Sequence, residues 1–140
     1  MFTGAGAMGV ARHNHSVLVV DDDPGALEGL VYYLQSRGFD VVGALGGEEA
    51  VDRLRDGLSP CVVVTDVVMP AMDGWDLVGA IRADPRSADL PVVMVSGHSE
   101  HVSRALQAGV RAYLPKPVDP AEIAAAATRY CRMAPDGRAR

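Results

Sequence analysis

Aromatic residues are scarce in this 140-residue chain, at 5%. Positive charge is in deficit too: 13 Lys and Arg face 18 Asp and Glu, a net charge of −5. That balance removes the electrostatic basis for nucleic acid or an anionic membrane as the main partner. No apolar run approaches the roughly 20 residues that cross a bilayer. There are only two cysteines, Cys61 and Cys131. Their spacing fits neither a zinc motif nor a redox pair, and the simplest expectation is two free thiols in a reducing cytoplasm. Residues 1–15 lack the early positive region and the unbroken apolar stretch of a secretory signal, and read as a flexible tail. His13 and His15 in that tail are candidate metal ligands, although two histidines in a mobile segment are more simply solvated. Internal repeats and low-complexity tracts are absent.

What the chain has in quantity is apolar aliphatic sequence, 49% hydrophobic residues with Val and Ala abundant. One domain with one good core suits this length. Val17-Leu18-Val19-Val20 and Val62-Val63-Val64 are continuous apolar runs, the pattern of strands buried on both faces. A weaker strand centres on Val41 and Val42, a fourth runs Pro91 to Val95, and a fifth Arg111 to Leu114. Between them lie helical patterns. Leu27, Leu30, Val31 and Leu34 share one face, stopped by Gly38. Ala50, Val51 and Leu54 form a second, and Leu77, Val78 and Ile81 a third. A fourth, capped by Ser99, carries Val102, Ala105 and Leu106. The fifth starts Asp119-Pro120-Ala121-Glu122, with a cap, a first-turn proline and an acid three residues on. It packs Ile123, Ala127, Tyr130 and Cys131. Five alternations of strand and helix predict an α/β fold, a parallel sheet with helices on both faces. The domain spans residues 16–133, and 134–140 read as a tail or linker stub.

The carboxyl ends of the strands carry the chemistry, as ligand sites in open α/β sheets do. Asp21 and Asp22 follow the first strand, and Asp66 ends the third. Ser96 follows the fourth and Lys116 the fifth. Asp23 already has a structural role as a helix cap before Pro24. A lone Asp after a strand is more simply a cap, a lone Ser likewise, and a Lys beside Pro is more simply surface. All of them at successive strand ends point to a shared site. Three carboxylates at one edge repel one another, and two partners relieve this: Lys116 and a hard divalent cation such as Mg²⁺, which takes one or two carboxylates with waters and phosphate oxygens. A carboxylate so placed can attack phosphorus to form an acyl phosphate. The metal, the lysine and a hydroxyl would stabilise the transferred group. In this reading Asp66 is the nucleophile, Asp21 and Asp22 hold the metal, Ser96 is the hydroxyl and Lys116 the counter-ion.

From about Ser16 to Met133 the chain resembles the receiver domains of bacterial two-component response regulators. The matching motifs are Val-Val-Asp-Asp at 19–22, Asp66 with Met69-Pro70 and Asp73-Gly74, Val-Ser-Gly at 95–97, and Lys116-Pro117. Thirty residues separate Asp66 from Ser96, a typical interval. The resemblance implies a flavodoxin-like doubly wound (βα)5 sandwich with strand order 2-1-3-4-5, the order the same topology shows in a chemotaxis receiver. It implies Asp66 as phosphoacceptor, with a histidine kinase, a phosphotransfer protein or a small acyl phosphate as donor. It implies Mg²⁺ or Mn²⁺ held by Asp22, Asp66 and the Val68 backbone carbonyl, with Asp21 acting through water. It implies a cis bond before Pro117. Tyr113 stands at the aromatic switch position, where it would respond with Ser96 and reshape the face made by the fourth helix, fifth strand and fifth helix. Without that match Tyr113 is a half-buried packing residue. The chain is then a cytoplasmic signalling module and not a turnover enzyme, acting on a downstream protein or an output domain, with the same face open to homodimerisation and the oligomeric state not set by the residues.

Some positions depart from the family pattern. Val68, two residues after Asp66, cannot orient an attacking water, so a long-lived acyl phosphate is expected. His98, two after Ser96, reads first as a solvated loop residue and second as a contact to the phosphoryl group or a partner. Ser96 stands where many relatives have Thr, and Pro115 has no functional account. Two alternatives remain: an aspartyl-phosphate phosphatase, against which Val68 and the lack of a substrate-capping insertion argue, and a degenerate receiver that only binds partners.

Overall fold

A computed structural model describes residues 15–131. Of the tail expected over residues 1–15, residues 1–14, His13 included, lie outside the described residues, as do residues 132–140, which hold the C-terminal tail expected at 134–140.

The apolar runs form five short strands: β1 (Ser16–Val20), β2 (Asp40–Ala44), β3 (Val62–Asp66), β4 (Val92–Ser96) and β5 (Ala112–Pro115). Helices α1 (Pro24–Ser36), α2 (Gly47–Arg55), α3 (Gly74–Ala83), α4 (Val102–Gln107) and α5 (Pro120–Tyr130) alternate with them. All neighbouring strands pair in parallel, in the order β2-β1-β3-β4-β5. The α/β, flavodoxin-like expectation therefore holds.

Alternation along each strand splits the core in two. Leu18, Val20, Val63, Val92 and Met94 point to one face, where Ala50, Leu77, Ile81 and Ala105 of α2, α3 and α4 cover them. Val17, Val19, Val62, Val64, Val93 and Val95 point to the other, under Leu27, Leu34, Ile123 and Ala127 of α1 and α5. Each fully buried Val or Leu contributes about 1.5–3 kcal/mol, and these strands are sealed on both sides. That double burial is why the runs read as continuous in the sequence.

Local signals start the helices. Asp23 accepts the Gly25 N–H at 3.0 Å before α1, and Asp119 accepts the Ala121 N–H at 2.9 Å before α5. A full capping box forms at α3. Asp73 accepts the Asp76 N–H, and Asp76 in return accepts the Asp73 N–H.

Three expectations need correction. The two cysteines are not free thiols: Cys61 and Cys131 form a disulfide. They are 70 residues apart in sequence, but their Cα atoms are 4.8 Å apart. A helix that returns across a parallel sheet ends where the strands begin, so the end of α5 meets the start of β3. Linear spacing does not contain that proximity. The fourth helix does not begin directly after Ser99. A three-residue 3-10 turn, Ser99–His101, comes first, and His101 stands at the N-cap of α4 without a side-chain bond. On α4 only Ala105 is buried; Val102 and Leu106 are 40% and 67% exposed.

Candidate functional site

Three carboxylates meet at the carboxyl edge of β1 and β3. Asp21, Asp22 and Asp66 each place an oxygen within 4.8 Å of the others. The order of the sheet causes this, because β1 and β3 are neighbours and both end there. Asp66 Oδ1 accepts the N–H of Val67 at 2.7 Å. Its other oxygen, Oδ2, faces Lys116 Nζ at 2.9 Å. Asp21 accepts the Asp23 N–H at 3.0 Å. The Asp21 carboxyl is nevertheless held above its ordinary range. Burial is the main cause, and the charges of Asp66 and Asp22 add to it against the Asp23 amide and Lys116. A half-buried carboxyl among carboxylates is poorly satisfied by one lysine, and this set suits a hard divalent cation with oxygen ligands. The Asp21, Asp22 and Asp66 side chains fit such an ion.

Lys116 arrives from β5, on the far side of β4. The Lys116–Pro117 peptide is cis. Lys116 is also the single lysine of the chain, a signal in the sequence that its motif reading did not use. Pro115 has no N–H to give β4, and the Lys116 N–H takes the Ser96 carbonyl at 2.8 Å. Pro115, left without an account by the sequence, thus stands where the backbone of Lys116 is tied to that of Ser96.

Ser96 is 1% exposed, and its Oγ accepts the N–H of His98 at 3.1 Å. The His98 carbonyl accepts the Tyr113 hydroxyl. A backbone unit therefore joins Ser96 to Tyr113. The His98 side chain is elsewhere: it is 52% exposed, with Nδ1 3.4 Å from a Glu100 carboxylate oxygen. Sequence reasoning weighed the imidazole of His98, but the connecting groups are its peptide N–H and C=O, which no residue-type signal reveals.

The loop after β3 is held by close backbone approach. A Cβ on Gly74 would lie 2.6 Å from the Asp66 carbonyl oxygen and 2.9 Å from Val67 Cα, and the Gly74 N–H donates to the Val67 carbonyl at 2.7 Å. Only glycine fits. Met69 packs inward in the core, and Val68 is 61% exposed. On the next helix Trp75 carries the Arg104 guanidinium 4.4 Å over its ring and the edge of His101 at 5.7 Å. A cavity of about 590 Å³ opens between α1 and α5, with Leu30, Tyr33 and Ile123 on its apolar wall and Asp66 and Lys116 at its end.

Comparison with known proteins identifies the family of the chain. Residues 17–128 match the family model of the response regulator receiver domain. An uncharacterized 14.6 kDa protein of Leptolyngbya boryana is 38% identical over 121 residues, covering 85% of this chain and 92% of that one. Response regulator Rre1 of Synechocystis is 38% identical over 113 residues, covering 79% of this chain but 48% of that protein. Among solved structures, a response regulator receiver protein from Pseudomonas putida superposes with a TM-score of 0.77 at 38% identity, covering 86% of this chain and 99% of that one. The chain belongs to the response regulator receiver domain family and is a receiver domain of a two-component response regulator.

Among the described residues no helix is long and apolar enough to cross a membrane.

Proposed function

We propose that this receiver is a phosphorylation switch with Asp66 as phosphoacceptor. The observation that carries the reading is the placement of Asp66. One carboxylate oxygen is 2.9 Å from Lys116, and the group sits within 4.8 Å of two further acids. Asp21, Asp22 and Asp66 would hold Mg²⁺ or Mn²⁺, with the Val68 carbonyl as the family's further ligand. The cation supplies charge neutralisation for the incoming phosphoryl group.

The chain's own residues do the rest. An Asp66 oxygen attacks phosphorus, a P–O bond forms, and the bond to the donor's leaving group breaks with its electron pair. Lys116 stabilises the charge on the phosphoryl oxygens. The donor is a histidine kinase, a phosphotransfer protein or a small acyl phosphate, reaching Asp66 from the α1–α5 side. The domain changes only its own phosphorylation state, so it is a cytoplasmic signalling module and not a turnover enzyme.

The switch runs through the hydrogen bonds between Ser96, His98 and Tyr113. When the Ser96 hydroxyl turns to a phosphoryl oxygen, the His98 N–H loses its acceptor, and the Tyr113 bond to the His98 carbonyl is disturbed with it. The α4–β5–α5 face then changes. Exposed Val102 and Leu106 make it suited to a target protein, an output domain or a second copy of the chain.

Intact mass after incubation with acetyl phosphate tests the reading. The expected result is one Mg²⁺-dependent phosphoryl adduct, absent in Asp66→Asn. An adduct that persists in the variant, or none in the wild type, would overturn it.

A further inference from the structure

At the opposite edge of the sheet a second group of ligating side chains comes together. His15 precedes β1, Cys61 precedes β3, and Cys131 stands at the end of α5. One ligand atom from each, an imidazole nitrogen and two sulfurs, lies within 4.8 Å of the others. The sequence offered no such group, since the three are separated by 46 and 70 residues.

The fold fixes two of the three. The His15 carbonyl accepts the Asp40 N–H at 2.9 Å, and its ring lies 5.8 Å from that of Phe39. The Cys61 N–H donates to the Ser16 carbonyl at 2.8 Å and approaches Ser16 Oγ at 3.1 Å. Adjacent parallel strands therefore present His15 and Cys61 side by side. Cys61 is fully buried and Cys131 is 8% exposed. Cys131 lies at a helix terminus, where the last turn can adjust without breaking the sheet ladder.

We propose that His15, Cys61 and Cys131 form a redox-gated site for a borderline-soft cation, Zn²⁺ being the closest fit. Two thiolates and one imidazole are a zinc donor set, and three protein ligands leave the fourth position to water. The disulfide is the metal-free, oxidised form. It opens by exchange with a small dithiol: one reductant thiolate attacks a bridge sulfur, the other bridge sulfur leaves as thiolate, and the second reductant thiol closes the reductant's own disulfide. Two electrons pass to the chain. Zn²⁺ then binds both sulfurs in place of two protons. Re-oxidation by a small-molecule disulfide takes the two electrons back, rejoins the sulfurs and releases the ion.

The test uses the full chain and Co²⁺ as a spectroscopic probe. The disulfide is reduced with a water-soluble phosphine, which becomes its oxide by taking oxygen from water, and excess reductant is removed without air. Titration with Co²⁺ should give thiolate-to-cobalt charge-transfer absorption saturating at one equivalent, bleached by Zn²⁺. The oxidised chain should give none. His15→Ala should weaken the complex at least tenfold, and Asp66→Asn should leave it unchanged, which separates this site from the carboxylates. Cys61→Ser should abolish the band; circular dichroism shows whether that variant folds, and His15→Ala remains decisive if it does not. A reduced wild-type chain with no thiolate band overturns the proposal. A band insensitive to His15→Ala does so as well, because it would mean an adventitious dithiol complex.

Discussion

Lys116 Nζ stands 2.9 Å from Asp66 Oδ2, although Asp66 ends β3 and Lys116 follows β5, with β4 between the two strands. The ammonium occupies the carboxylate oxygen that a phosphoryl group would displace it from. Its removal should have two opposite effects. Lys116→Ala should slow phosphorylation by acetyl phosphate about a hundredfold, the scale of losing one preorganised electrostatic stabiliser. The same variant should bind Mg²⁺ more tightly, because a competing cation is gone. A phosphorylation time course and a calorimetric Mg²⁺ titration check the pair. An unchanged rate would remove Lys116 from the mechanism.

Asp21 carries a cost in the metal-free chain. Its carboxyl is raised chiefly by burial, so the folded chain binds that proton more tightly than the unfolded one. The sign follows: acidification from neutral pH adds stability until Asp21 is protonated in both states. Asp21→Asn should stabilise the metal-free chain at neutral pH by roughly a few tenths of a kcal/mol, because solvent screens a half-exposed carboxylate, and should weaken Mg²⁺ binding. Urea unfolding with chelator and with Mg²⁺ gives both numbers.

Val68 is exposed beside the site and has no polar atom in its side chain. Val68→Asn should shorten the acyl-phosphate lifetime by offering an attacking water a partner. The decay of the phosphoryl adduct, followed by mass, reports it; a variant that decays no faster refutes the idea.

Gly74→Ala should cost about 1–3 kcal/mol, the usual range for overpacking. The new methyl would meet the Asp66 carbonyl oxygen and Val67 Cα, both backbone. Phosphorylation should fall with it, since the strain lands on the peptide of Asp66, the proposed phosphoacceptor. Thermal unfolding and the acetyl phosphate assay measure the two effects.

His98→Ala should leave phosphorylation and decay within about twofold, the usual reach of an exposed substitution, because the peptide groups and not the imidazole join Ser96 to Tyr113. A larger change would return the imidazole to the site.

What the sequence disclosed and what it concealed divide along physical lines. Strand runs such as Val62-Val63-Val64 were legible because burial on both faces demands apolar residues without interruption. Asp21, Asp66, Ser96 and Lys116 were legible because parallel strands deliver their ends to one edge. The disulfide was not, since it depends on where α5 finishes relative to β3. The exposure of Leu106 was hidden because a six-residue helix shows too few turns for its apolar face to be distinguished from its solvated one. The Ser96–His98–Tyr113 connection was hidden because peptide groups look alike in every residue.

The packing of Arg104 and His101 on Trp75 has an optical consequence. Trp75 is the only indole in the chain, and both neighbours come from the segment that leads into and forms α4. Any displacement of that segment changes the electric field and collisional quenching at the ring. The unlabelled protein therefore carries its own emission probe, placed between the helix that follows the acidic site and the helix whose movement would announce the signal.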